Sequence, residues 1–192
     1  METIKFKIVG DTIVLMHSAE KLADPLNAHT KLIKEISSKR NKTEKDHMDM
    51  SRLEWEAGIY YDEDIGPYFP AVNVEACLRS AAKLSRLGKA VERAIFVQPD
   101  LVALDYDGPR KINELFYENS PFIDKRAINV KTSKVMRTRP KFPAGWSMTF
   151  TVSYMADIIT KDQLILICKT AGRLIGMGDY RPRFGRFTVA NH

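Results

Sequence analysis

A chain of 192 residues is long enough to bury a core of its own, and its length favours a single domain spanning residues 1–192 with elaborations. Thirty Lys and Arg against twenty-four Asp and Glu give a formal net charge of +6 and a pI near 9.3, a balance that suits a polyanion without selecting one. No stretch approaches the roughly 18 apolar residues that span a bilayer, and Cys77 and Cys168 lack further Cys or His at metal spacing, which argues against a membrane helix and for buried free thiols rather than a structural zinc.

The chain opens with Ile4, Phe6 and Ile8 alternating with Lys5 and Lys7, a strand that turns at Gly10-Asp11 into Thr12 to Met16. Residues 28–58 carry mixed charge with Leu32, Ile33 and Ile36 at helical spacing and a second pattern around Met48, Leu53 and Trp55. We expect a helical insertion there, with His29 and His47 facing solvent. Gly66 to Pro70 is an extended entry, because each residue before a proline is pushed away from the α region. After it, Val74, Cys77, Leu78, Ala81, Ala82 and Leu84 predict a helix to about Gly88, with Asn73 as its N-cap. Residues 94–97 and 101–104 follow as short strands, and 111–117 as a short helix.

Lys125, Arg126, Lys131, Lys134, Arg137, Arg139 and Lys141 fall within 125–141 without one acidic residue. Period-2 alternation through that segment predicts a basic β-hairpin, with Met136 packing inward or wedging between bases. Trp146 to Tyr154 reads as a strand, and Thr160 with Gln163 three residues on opens a helix through Leu174. Gly176, Gly178 and Gly185 then share a loop at 176–187 with Arg181, Arg183 and Arg186. Glycines permit close approach of backbone to a ligand and arginines supply the charge, so this segment predicts a phosphate-binding loop, with Tyr180 and Phe184 placed to stack on bases. It is not a Walker A loop, since no Gly-Lys-Ser/Thr follows. The order strand, helix, strand, strand, helix, strand predicts an α+β fold of the ferredoxin-like, RRM-like βαββαβ kind.

Three collinear segments carry a family resemblance. Pro67-Tyr68-Phe69-Pro70 followed by a helix containing Leu78-Arg79, the basic hairpin leading into Phe142-Pro143-Ala144-Gly145-Trp146, and the loop Gly176 to Gly185 together resemble the RAMP superfamily, the RRM-like backbone proteins of CRISPR effectors. Ala71-Val72-Asn73 and Glu75 depart from its usual Gly-Ser-Ser and lysine, so the resemblance is a divergent one, compatible with a virus- or prophage-borne relative rather than a member of a CRISPR operon. The free thiols and the lack of a membrane or signal segment predict a cytoplasmic protein, and the resemblance implies that it grips the backbone of single-stranded RNA through the loop and through Lys131, Lys134, Arg137 and Arg139. The resemblance further implies copies of itself or other subunits of a ribonucleoprotein as partners, with the acid run Asp62-Glu63-Asp64 available to a basic patch on a neighbouring copy, and no resident cofactor.

Two rival expectations stand beside this one. Asp24, in Leu22-Ala23-Asp24-Pro25-Leu26, resembles the loop acid with which some backbone subunits cleave RNA through Mg2+, and His17 stands where some RNA-processing relatives carry a general base. Either residue makes the protein an endoribonuclease. The other rival is a viral interaction protein that mimics a backbone subunit.

Overall fold

The computed structural model describes residues 1–130 and 133–191; Lys131 lies outside them. The strands are β1 (Glu2–Gly10), β2 (Val14–Leu15), β3 (Tyr61–Asp62), β4 (Gly66–Pro70), β5 (Ile95–Gln98), β6 (Leu101–Ala103), β7 (Ile123–Val130), β8 (Ser133–Phe142), β9 (Ser147–Tyr154) and β10 (Phe187–Asn191). The helices are α1 (Ala19–Ala23), α2 (Ala28–Ser38), α3 (Glu44–Gly58), α4 (Ala71–Leu84), α5 (Gly88–Ala94) and α6 (Lys161–Thr170). The fold is α+β with several antiparallel sheets, and its contacts group the chain into two compact units.

The first unit comprises residues 1–14, 61–108 and 142–192. Its main sheet has the order β10-β1-β9-β5, every neighbouring pair antiparallel. β1 and β5 therefore run parallel with β9 between them, joined through α4, while β9 and β10 run parallel with β1 between them, joined through α6. Ile4, Phe6 and Ile8 stand opposite Val152, Phe150 and Met148, and all six are buried. The Phe6 and Phe150 rings lie 5.8 Å apart in that face. The alternation of β1 thus puts its apolar residues on one face, where α4 supplies Val74, Cys77, Leu78 and Ala81, and α6 supplies Leu164, Ile167 and Cys168.

Local chemistry shifts several boundaries. Helix α4 begins directly after Pro70 at Ala71, so Asn73 lies inside the helix and is not its cap. The turn after Leu84 carries Arg86 at φ 61° and restarts as α5, a separate helix where the sequence predicted an ending at Gly88. α6 does open with the capping box of Thr160 and Gln163. Its regular turns end at Thr170, and a π-helical turn over Ala171–Ile175 replaces the predicted continuation to Leu174. Gly172 makes that turn possible, since a β-carbon there would stand 2.0 Å from the Phe187 carbonyl oxygen of β10.

The second unit comprises residues 15–60 and 109–141. The helical insertion is present as α2 and α3, preceded by the short α1. Helix α3 is fixed at its start by a capping box, Thr43 accepting from the Asp46 N–H while the Asp46 carboxylate accepts from the Thr43 N–H. The predicted helix at 111–117 is a single 3-10 turn, Ile112–Glu114. Strands β7 and β8 pair without a register shift from Ile123↔Pro140 to Val130↔Ser133. Trp55 of α3 is wholly buried, packs against the Phe116 ring at 5.4 Å and donates its indole N–H to the Phe122 carbonyl at 2.9 Å.

Candidate nucleic-acid interface

Positioning of the glycine-rich loop starts at Gly10. A β-carbon there would lie 2.1 Å from the Trp146 ring, so glycine alone admits the indole, whose N–H donates to the Thr12 carbonyl at 2.8 Å. The segment so fixed then holds the loop's end. Asp11 N–H donates to the Arg186 carbonyl at 2.8 Å, Arg186 N–H to the Thr12 hydroxyl at 3.0 Å, and Gly185 N–H to the Ile13 carbonyl at 2.8 Å. The Thr188 hydroxyl completes the clasp by donating to the Asp11 carboxylate.

Within the loop, Met177 N–H donates to the Gly185 carbonyl and Gly176 N–H to the Ala171 carbonyl, both at 2.8 Å. Gly176 and Gly185 are buried at φ 81° and 75°, and a β-carbon would meet Phe184 O at 2.7 Å from the first and Met177 O at 1.8 Å from the second. These two glycines spend their freedom on the loop's own backbone rather than on closeness to a ligand. Gly178, at φ 73°, is half-buried, and Tyr180 holds a left-handed φ of 60°. Closing the loop in this way buries Met177 and turns the arginines out. Arg181, Arg183 and Arg186 are exposed, with Arg186 Nε donating to the Pro182 carbonyl at 2.9 Å. Tyr180 is 43% exposed and its ring lies 5.7 Å from that of half-buried Phe184.

The loop's inner side is apolar. The Cys77 thiol donates to the Gly176 carbonyl at 3.3 Å, and burial pushes that thiol up to about 12 against a weaker opposing pull from the Arg181 charge.

In the hairpin, the footprint that looked free of acids is partly neutralised from outside it. Arg126 and Arg137 stand directly opposite each other across the strands, a repulsive pairing unless each has a counter-charge. Arg126 donates from Nε to Asp124 at 2.7 Å, and Arg137 donates to the buried carboxylate of Glu54 in α3, whose other oxygen accepts the Thr138 N–H at 2.9 Å. Arg139, predicted to meet phosphate, is 7% exposed and so is not presented to a strand. The other face keeps Lys125 and Lys134 exposed, with Met136 60% exposed rather than packed in a core.

The nuclease candidates sit in two different connections, Asp24 in a turn and His17 in the link between β2 and α1. The Asp24 carboxylate accepts the Leu26 N–H at 2.9 Å, the Asx arrangement that Asp-Pro favours, and the exposed His17 offers its carbonyl to the Tyr60 hydroxyl at 3.4 Å. His47 is exposed, whereas His29 is half-buried with Nε2 3.9 Å from Glu56. The acid run uses Asp62 to accept the Asp64 and Ile65 N–H groups of its own turn, leaving Glu63 and Asp64 exposed.

One further polar surface escaped the sequence reading. On the sheet face opposite the core, Lys5 and Lys7 stand opposite Thr151 and Thr149, while Phe96 and Gln98 of β5 stand opposite Ser153 and Thr151. Phe96 is 49% exposed. The alternations Lys5/Lys7 and Thr149/Thr151 carried the signal, but only the strand pairing reveals that they share a row. Among the described residues, no helix is long and apolar enough to cross a membrane. No protein-family model and no curated protein matches the chain.

Proposed function

We propose that this protein is a divergent RAMP-like protein with a ferredoxin-like core, which binds single-stranded RNA by its phosphates as part of a ribonucleoprotein. The observation that carries this reading is the clasped loop between α6 and β10, which turns three exposed arginines and an exposed tyrosine outward from a backbone fixed on both sides. A fixed cationic loop loses little entropy when it takes up a phosphate chain, and a tyrosine face stacks on any base. The β10-β1-β9-β5 order with two β-α-β crossovers supports the fold assignment. The polar sheet face with Lys5, Lys7 and Phe96 supports a single-stranded ligand.

Fluorescence anisotropy with labelled single-stranded RNA tests the reading. The native protein binds with an affinity that falls steeply with salt, and replacing Arg181, Arg183 and Arg186 together with alanine lowers it by at least about tenfold. Salt-insensitive binding, or binding that survives the triple substitution, refutes it.

A further inference from the structure

Phe116-Tyr117-Glu118-Asn119-Ser120 brings two aromatics, a carboxylate and an amide into one short connection, and the backbone of that connection is fixed from within. The Ser120 hydroxyl donates to the Leu115 carbonyl at 2.6 Å and accepts the Phe122 N–H at 3.1 Å, while the Ser120 N–H donates to the Tyr117 carbonyl at 3.1 Å. Asn119 closes the turn at a left-handed φ of 61°, which asparagine adopts more readily than most side chains. Phe116 is held by the buried Trp55. On this fixed support Tyr117 is 51% exposed, and Glu118 and Asn119 are exposed beside it.

These residues line a groove of about 700 Å3 that belongs wholly to the second unit, a size within the roughly 300–1,000 Å3 of small-molecule sites. Helix α3 contributes Met48 and Arg52 to its lining, and β7 contributes Ile123 and Lys125. Arg52 donates to Glu56 at 2.8 Å through Nε, which orients the guanidinium and leaves its Nη groups as donors. Among the described residues, the exposed Lys125 ammonium has no carboxylate partner. Cationic donors therefore come from the helix and the strand, and an aromatic face with hydrogen-bonding groups comes from the loop.

We propose that this groove binds a nucleotide, its base stacked on Tyr117 with the base edge at Glu118 and Asn119, and its phosphate against Arg52 and Lys125. Stacking suits any base, and a phosphate takes charge-assisted hydrogen bonds from both cations. A phosphorylated tyrosine shares the ring and the charge, but its ring edge offers nothing to Glu118 and Asn119. Glu118 also sets a preference, because a carboxylate only accepts hydrogen bonds. The exocyclic amino groups of adenine, guanine and cytosine suit it, whereas uracil flanks its one edge N–H with two carbonyl oxygens. The arginine loop belongs to the first unit, so the inference stands without it.

Equilibrium dialysis of the full chain against labelled AMP, GMP, CMP and UMP tests the proposal. Saturable binding is expected for the first three, with UMP the weakest. Tyr117→Ala should weaken AMP binding at least about tenfold and Lys125→Ala several-fold, with the melting curve unchanged because both side chains are exposed. Glu118→Gln should narrow the gap between CMP and UMP. Replacing Arg181, Arg183 and Arg186 with alanine should leave AMP binding as it is, which separates this site from the strand-binding loop. Displacement of AMP by single-stranded RNA identifies the bound nucleotide as a residue of a strand, and AMP retained in its presence identifies a free one. The proposal is overturned if no nucleotide binds saturably, if ribose 5-phosphate binds as tightly as AMP, or if O-phosphotyrosine displaces AMP at equal concentration. An affinity unchanged by Tyr117→Ala overturns it as well.

Discussion

Two glycines separate the cost of backbone strain from the cost of a clash. Gly185 and Gly145 both hold left-handed φ values, 75° and 95°, but a β-carbon on Gly185 meets Met177 O at 1.8 Å whereas one on Gly145 meets nothing within 4 Å. Gly145→Ala is therefore expected to cost about 1 kcal/mol in urea unfolding, the strain alone. Gly185→Ala should cost about 3 kcal/mol and weaken RNA binding as well, since Met177 and the arginine-bearing turn must move to admit the methyl group. Equal costs at the two sites would show that the loop yields freely. Cys77 gives a second residue-scale expectation. Its thiol is raised from 9.0 to about 12, so near pH 8 almost none is thiolate, and alkylation should proceed only after unfolding. Because the folded value is the higher one, stability is fully present below the unfolded value and declines as pH rises from about 9 towards 12. Cys77→Ala should reduce that decline.

At the scale of elements, β7 and β8 depend on α3. Glu54 accepts from both Arg137 and the Thr138 N–H, so its removal leaves a guanidinium facing Arg126 and an unpaired strand donor. Arg137 is partly exposed and water offsets some of this loss, so Glu54→Ala should cost about 2 kcal/mol by chemical denaturation. Adding Arg137→Ala should restore part of it, because the repulsive partner is then gone; a strictly additive double variant would remove Glu54 from this role. The start of α3 responds to acid. The Lys39 ammonium and the Thr43 N–H and hydroxyl hold the Asp46 carboxyl well below the usual carboxylate range. Its contribution is present above the unfolded value near 3.8 and is lost as pH falls below it towards the folded value. Helical circular dichroism should drop more steeply below about pH 4 in the native chain than in Asp46→Asn.

The same elements show what a sequence can disclose. The α6 capping box and the alternation of β1 and β9 are local signals with local causes, and each was legible. The capping box of α3 uses aspartate at the third position rather than glutamate or glutamine, and it passed unread. Asn73 looked like a cap, but Pro70 already ends the strand and leaves α4 free to start at Ala71. In the candidate site, the arginines of the loop were legible as outward charge. The work of Gly176 and Gly185 was not, because the atoms that exclude their β-carbons belong to residues eight or nine positions away.

Across the whole molecule, the sequence was least informative about the second unit, which forms from residues 15–60 and 109–141. The contacts that define it, Trp55 to Phe122 and Glu54 to Thr138, join those segments across 67 and 84 positions, beyond the reach of any periodicity. That is why 125–141 read as an unopposed cationic run. The division also sets the last prediction. The arginine loop lies in the first unit and the exposed Lys125 and Lys134 in the second, so each group can be removed without touching the other's supports. On single strands, each phosphate neutralised contributes roughly 0.7 to the slope of log affinity against log salt. Replacing Arg181, Arg183 and Arg186 should lower the slope by about 2, and replacing Lys125 and Lys134 by about 1.4 if the same strand reaches both units. The five-fold variant should then lose the sum of the two, since the groups share no partners. A lysine pair whose removal leaves both slope and affinity unchanged would confine the strand to the first unit, with the hairpin held for its fit to α3 rather than for phosphate.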